Sequence, residues 1–276
     1  MSRGRVMIGL IMGVMALVSY FSYREVNPIT GEKQHIGISR DQEVALGLQA
    51  APEMAAQFGG LDPRERVQSL VQAVGTRVAE RSAAASSDYR FSFHVLRDQE
   101  TINAFALPGG PIFITAALLH KLGNEAQLAG VLGHEMGHVV ARHSAEHLAK
   151  SQFAQLLVQA VGVAASDNEH PGRGQQAAAA AGLVSQMATL RYGRNDEMES
   201  DDLGVRFMSE AKYDPRSLIE VMDILAASSG GSRRPEFLNT HPDPGNRAER
   251  IRAAIAQRFP SGVPADFTLG QPMQAQ

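Results

Sequence analysis

Residues 133 to 143 read GHEMGHVVARH, and no other stretch of the chain restricts its own surroundings so tightly. An α-helix turns about 100° per residue, so His134 and His138 leave one face with their imidazoles close enough to share an ion. Glu135, one position round, can reach a water at that ion without ligating it, the H-E-x-x-H pattern of a metal pair and a base. His143 is nine residues from His134, about half a turn out of phase. On a helix continuing to about Ala165 it faces away from the metal and stays outside the site. Leu128, Val131, Leu132, Val139 and Val140 flank the motif and place it in the core. Buried histidines beside a buried glutamate need partners, which a metal supplies. Gly130, Gly133 and Gly137 each cost about 1 kcal/mol against alanine in a helix, so another element is expected to pass close by.

At 276 residues the chain is expected to form one good-sized domain. A net charge of -3 and a pI near 6.3 give no basic excess, which argues against nucleic acid as a partner. Cysteine is absent, excluding disulfides, thiolate ligands, a cysteine nucleophile and a lipid-bearing cysteine. At the amino end, residues 6 to 23 carry no charge, follow the basic MSRGR, and hold Tyr20, Phe21 and Tyr23 where a membrane interface would lie. No clean small-x-small site follows. An uncleaved membrane anchor is therefore expected through residues 6–23, a cleaved export signal being the alternative.

Residues 24 to 38 hold Pro28, Gly31 and Gly37 and read as a linker. Ser39 with Gln42 forms a capping box opening an amphipathic helix, and Val67, Leu70, Val71, Val74 and Val78 form the stripe of a second. The period then falls to two. YRFSFHVL, TINAFAL and IFIT read as short strands with a turn at PGGP, a small antiparallel sheet packed beside helices in an α+β arrangement. SDNEHPGRG (166 to 174) reads as a loop and QQAAAAAGLVSQM as a packed helix.

Two histidines leave a catalytic zinc one protein ligand short. RNDEMESDDLG (194 to 204) offers Glu197 as that ligand, with Asp201, four residues on, able to accept the second N–H of a ligating histidine. Asp196, Asp202 and Glu199 read as a solvated acidic face.

HEMGH (134 to 138), EMESD (197 to 201), INAFALPGGPIFI (102 to 114) and NTHPDPGNRAERI (239 to 251) together resemble the gluzincin zinc metalloendopeptidases that include HtpX, the CAAX prenyl protease and the bacterial envelope proteases BepA and LoiP. The resemblance covers roughly residues 27 to 258. It implies a zincin-like α+β fold with an HExxH active-site helix and one Zn2+ per chain on His134, His138 and Glu197, with Glu135 as general base. It also implies that His241 either approaches the metal or stabilises the oxyanion. Ser200 stands where the family usually has alanine, and Ala116-Ala117 where it usually has glycine.

The resulting division is an anchor or signal segment at 1–26, a metalloprotease domain at 27–260 and a tail at 261–276. Polypeptide substrates are expected to lie extended along Asn103, Ala104, Phe105 and Ala106, pairing main chain with a sheet edge. Loops around His170 and before His241 are expected to gate the cleft. The expected setting is a bacterial inner membrane with the catalytic domain in the periplasm, or an exported soluble protein, and the expected role is removal of misfolded or damaged envelope proteins. Two rival readings are a latent protease acting mainly as a membrane-tethered chaperone or assembly factor, and a zinc hydrolase of small amides with a deep closed pocket.

Overall fold

The computed structural model describes residues 3–165, 191–229, 235–242 and 246–273. The expected loop at 166 to 174, with His170, and the alanine-rich helix after it lie outside the described residues. Helix α1 (Arg3–Ser22) leads into strands β1 (Arg24–Val26) and β2 (Lys33–His35), then α2 (Arg40–Gln57) and α3 (Glu65–Glu80). The Ser39 capping box forms as its spacing predicts: Gln42 N–H donates to Ser39 Oγ at 3.2 Å, and Ser39 N–H to Gln42 Oε1 at 2.8 Å. Val67, Val71, Val74 and Val78 are buried, as the helical period requires.

Residues 24 to 38 are more than a linker. The Asn27 side chain accepts from the Ile29 N–H, Gly31 adopts φ 77°, and β1 pairs antiparallel with β2 in a hairpin. An Asx turn and one left-handed glycine suffice to reverse the chain, which hydrophobic periodicity does not reveal.

The α+β layout is as expected, with one difference in the sheet. Strands β3 (Ser92–Leu96), β4 (Ala104–Ala106) and β5 (Pro111–Thr115) lie in the order β3-β5-β4. β4 and β5 are antiparallel, but β3 pairs with β5 in parallel, so this sheet is mixed. The cause is the tight PGGP turn. It folds β4 straight back onto β5, and β3, joined to β4 by a longer crossover, takes the other side of β5. Gly110 in that turn has φ 124°, and a Cβ there would lie 2.4 Å from the Arg90 carbonyl oxygen, so only glycine fits. β5 is buried throughout and β4 is left at an edge.

After α4 (Ala116–Leu119), Asn124 caps α5 (Glu125–Val140), whose residues from Ala126 onward are all buried. α5 does not run on to Ala165. Arg142 has φ 57°, a left-handed conformation costly for any residue but glycine, and the chain restarts there as α6 (His143–Ala165). The Arg142 guanidinium holds this turn by bonding Glu43 of α2, Glu25 of β1 and the Ile38 carbonyl. α1 lies along α6, with Tyr20 stacked on Phe153 at 4.7 Å between ring centroids. Val6, Met7, Ile8, Leu10, Ile11, Val14 and Val18 of α1 remain exposed, yet among the described residues no helix is long and apolar enough to cross a membrane.

Helix α7 (Arg194–Glu210) crosses α5, followed by α8 (Ser217–Ser228), the single turn α9 (Phe237–Thr240) and α10 (Arg247–Arg258). The three glycines of α5 each meet a neighbour. A Cβ on Gly130 would touch Leu218 of α8, one on Gly133 would lie 3.4 Å from the Gly204 carbonyl oxygen, and one on Gly137 would lie 3.0 Å from Ser200 Cα. At the other end of α5, the Glu125 and Ala126 N–H groups donate to the carbonyls of Gln271 and Leu269. Gly137→Val should drive α7 off α5, lowering stability by about 1–3 kcal/mol and weakening metal binding, measured by thermal denaturation and chelator competition.

Candidate metal centre and active site

The α5–α7 crossing brings together residues far apart in sequence. His134, His138, Glu197 and His241 each direct one donor atom into a common space, all within 4.8 Å of one another and all buried. The two motif histidines point Nε2 inward, 3.1 Å apart. Glu197 Oε1 lies 3.5 Å from His138 Nε2, and Glu197 Oε2 lies 3.6 Å from His134 Nε2. His241, at the end of α9, completes the group, with Nδ1 3.0 Å from Glu197 Oε1 and 3.4 Å from His134 Nε2. Three imidazoles and a carboxylate suit a borderline cation such as zinc. Burial and the neighbouring histidines push the His138 pKa well below its ordinary value, favouring the neutral ring that a metal requires.

Around these groups lies a layer of partners. Asp201 Oδ1 is 2.9 Å from His134 Nδ1, the relation expected from its spacing to Glu197. Arg247 is the residue that the sequence left without a role. It donates from Nε and Nη2 to Asp201 at 2.9 and 2.7 Å, and its Nη1 lies 3.0 Å from Glu197 Oε2, with the side chain 1% exposed. Burial alone would raise the Asp201 pKa, but Arg247 and His134 hold it well below the usual carboxylate range. Glu197 is also lowered, its burial outweighed by His241, His134 and Arg247.

His143 does not face away. Because the helix breaks at Arg142, its Nδ1 comes to 2.9 Å from His138 Nδ1 and its Nε2 to 3.2 Å from Glu199 Oε2. The acidic stretch is correspondingly less solvated than a charge run suggests. Glu199 holds His143, and Asp196 meets His147 Nε2 at 2.6 Å, with its carboxyl down at about 2. Asp202 alone of the three is exposed. Tyr192, another residue with no local signal, stacks on the His138 ring at 3.8 Å, its hydroxyl 3.0 Å from Ser144 Oγ.

Glu135 stands apart from this network. It is 0% exposed, and neither carboxylate oxygen has a hydrogen-bond partner among the described residues, the nearest ring nitrogen being His241 Nε2 at 3.6 Å. Burial pushes its pKa up, which moves a carboxylate towards the range useful for taking and returning protons near neutral pH. A cavity bounded by Asn103, Phe105 and Ala106 on one side and by Tyr192 and His241 on the other opens beside these groups. Phe105 stacks on Phe113 of β5, while the Asn103 side-chain carbonyl is buried without a partner. The single turn of α9 precedes His241, and Pro242 follows it.

Arg247, which balances both Asp201 and Glu197, should matter most when no metal is present. Arg247→Leu should lower the stability of the metal-free protein by about 3–5 kcal/mol through uncompensated buried charge. Arg247→Lys should recover part of this loss, and saturating zinc should narrow the gap, both read from thermal melts with and without the ion.

Residues 65–255, more than half of the chain, match Peptidase family M48. The chain is 34% identical over 240 residues to the mitochondrial metalloendopeptidase OMA1 of Schizosaccharomyces pombe, covering 85% of this chain and 67% of that protein. It is 30% identical over 243 residues to the beta-barrel assembly-enhancing protease of Yersinia pestis (86% and 49%), and 28% identical over 237 to that of Escherichia coli (80% and 48%). It thus spans about half the length of these bacterial relatives. The ordered HEMGH and EMESD segments, folded into one buried donor cluster, and this similarity over most of the sequence establish that the chain belongs to peptidase family M48.

Proposed function

We propose that the protein is a zinc-dependent endopeptidase in which His134, His138 and Glu197 hold the ion and Glu135 is the general base. One observation carries this reading: four donor groups converge in the core, and a carboxylate with no bonded partner among the described residues lies 3.6 Å from one of them, His241, which also lines a cavity. Zinc bound there would supply Lewis-acid polarisation of a peptide carbonyl and lower the pKa of water. The protein's own part is to hold Glu135 unpaired and desolvated so that its carboxylate takes a proton from water and returns it to the leaving amine. Asp201, kept anionic by Arg247, accepts from His134 Nδ1–H and fixes that ring with Nε2 inward.

Substrate in this reading lies extended beside β4. That strand is an edge of its sheet, and Asn103, Phe105 and Ala106 line the cavity, with Ala104 buried between them. Pairing through main chain selects extended polypeptide more than sequence, which suits removal of misfolded or damaged proteins. His241, 0% exposed and in contact with Glu197, occupies the fourth donor position in the resting state and withdraws when substrate enters. The burial of every group at the centre favours a closed resting form, and with it the second reading, a latent protease that serves mainly as a membrane-tethered chaperone or assembly factor. The exposed apolar side chains of α1 support attachment to a membrane, and a relative named for beta-barrel assembly fits a setting in the bacterial envelope with the catalytic domain in the periplasm.

Elemental analysis of the full chain should find about one zinc per protein in the wild type, little in Glu197→Ala, and an undiminished content in Glu135→Gln. Casein cleavage should fall at least about 100-fold in Glu135→Gln and rise in His241→Ala. A folded wild type without zinc, or full cleavage by Glu135→Gln, would defeat this assignment.

A further inference from the structure

The C-terminal end of the HExxH helix is built from outside. The Val140 carbonyl accepts from Asn27 Nδ2 at 2.8 Å, and the Ala141 carbonyl accepts from Gln34 Nε2. Both amides belong to the β1–β2 hairpin and are buried, at 1% and 2% exposure, and Asn27 Nδ2 also lies 3.3 Å from Gln34 Oε1. A helix commonly ends in a left-handed glycine that returns its last carbonyls to its own backbone. Here Arg142 takes the left-handed position, and the hairpin and α2 supply what holds it: Asn27 and Gln34 bond the carbonyls, while Glu25 and Glu43 bond the guanidinium. Glu43 is itself 1% exposed and accepts from the Tyr89 hydroxyl at 2.8 Å.

The turn so fixed has one outlet. The next residue is His143, 1% exposed, whose Nδ1 meets His138 Nδ1. With His138 Nε2 turned to the donor cluster, its Nδ1–H donates to His143 Nδ1, leaving the His143 proton on Nε2 to donate to Glu199. Had α5 continued as a helix, His143 would point elsewhere and His138 would lose this acceptor.

We propose that Asn27, Gln34 and Arg142 are positioning residues for the metal centre: the amino-terminal hairpin sets the turn at Arg142, the turn aims His143, and His143 orients His138 for the ion. Resting on the zinc reading above, this makes the segment directly after α1 a determinant of metal affinity, and any displacement of that segment is felt at the ion.

The test uses the full chain and zinc itself, with affinity measured by chelator competition and folding followed by circular dichroism. Asn27→Ala/Gln34→Ala and His143→Ala should each bind zinc about 10-fold more weakly. The triple variant should be no weaker than His143→Ala, because the hairpin acts through that residue. Gln34→Glu, isosteric but presenting an acceptor to the Ala141 carbonyl, should show the same loss if the double variant does not fold. Arg142→Gly should bind zinc better than Arg142→Ala, since glycine takes φ 57° without strain. Unchanged affinity in folded hairpin variants, or losses that add in full to that of His143→Ala, would overturn the inference while leaving the zinc reading intact. A folded wild type that binds no zinc would overturn both.

Discussion

Everything at the centre depends on how closely two helices approach. Gly133 and Gly137 of α5 face Gly204 and Ser200 of α7, and the backbones pass with nothing larger than the Ser200 side chain at the contact. Only at that distance can His134 and His138 on one helix share a space with Glu197 and Asp201 on the other. The helix propensity given up at these glycines, about 1 kcal/mol each, is the cost of that geometry. It also explains why the acidic motif has a period of four: Glu197 and Asp201 must stand one turn apart to meet the inner and outer nitrogens of histidines also one turn apart.

Such closeness concentrates charge. Glu135, Glu197 and Asp201 lie within a few residues' width, all but excluded from water, and one arginine, Arg247, spans two of them. Arg247 and His241 come from the same carboxy-terminal stretch, so one segment brings both a counter-charge and the fourth donor. A planar fork is suited to this position, because it can address two carboxylates at once where an ammonium would act as a point charge.

How much was legible in the sequence follows from the range of each interaction. His134 and His138, and likewise Glu197 and Asp201, are tied by spacings of four, and the Ser39 capping box by a spacing of three, so helix geometry exposes them. Arg247, Tyr192 and His143 reach the site through tertiary contact. Arg247 stood within a recognised segment but carried no spacing to the ligands. His143 was excluded by applying helix phase correctly to a helix that stops, and the stop itself, a left-handed arginine, is stabilised by residues about a hundred positions upstream. A sequence pattern has no term for that. The parallel pairing of β3 with β5 was hidden for a related reason, since alternation reports which face of a strand is buried and not which neighbour it joins.

The helix α5 is held at one end by Asn27 and Gln34 and at the other by the backbone of Leu269 and Gln271. These are among the first and last described segments, and the Asn27 contact alone spans 113 positions. Contacts of such separation form late, because a long loop must close before they contribute. During synthesis from the amino end, α5 therefore emerges with its forward cap available and its rear strap still inside the ribosome. Its first turn acquires its carbonyl partners only after residue 271 is released. The order of assembly thus leaves the helix that carries His134 and His138 unfinished until residues 269 to 271 have been made.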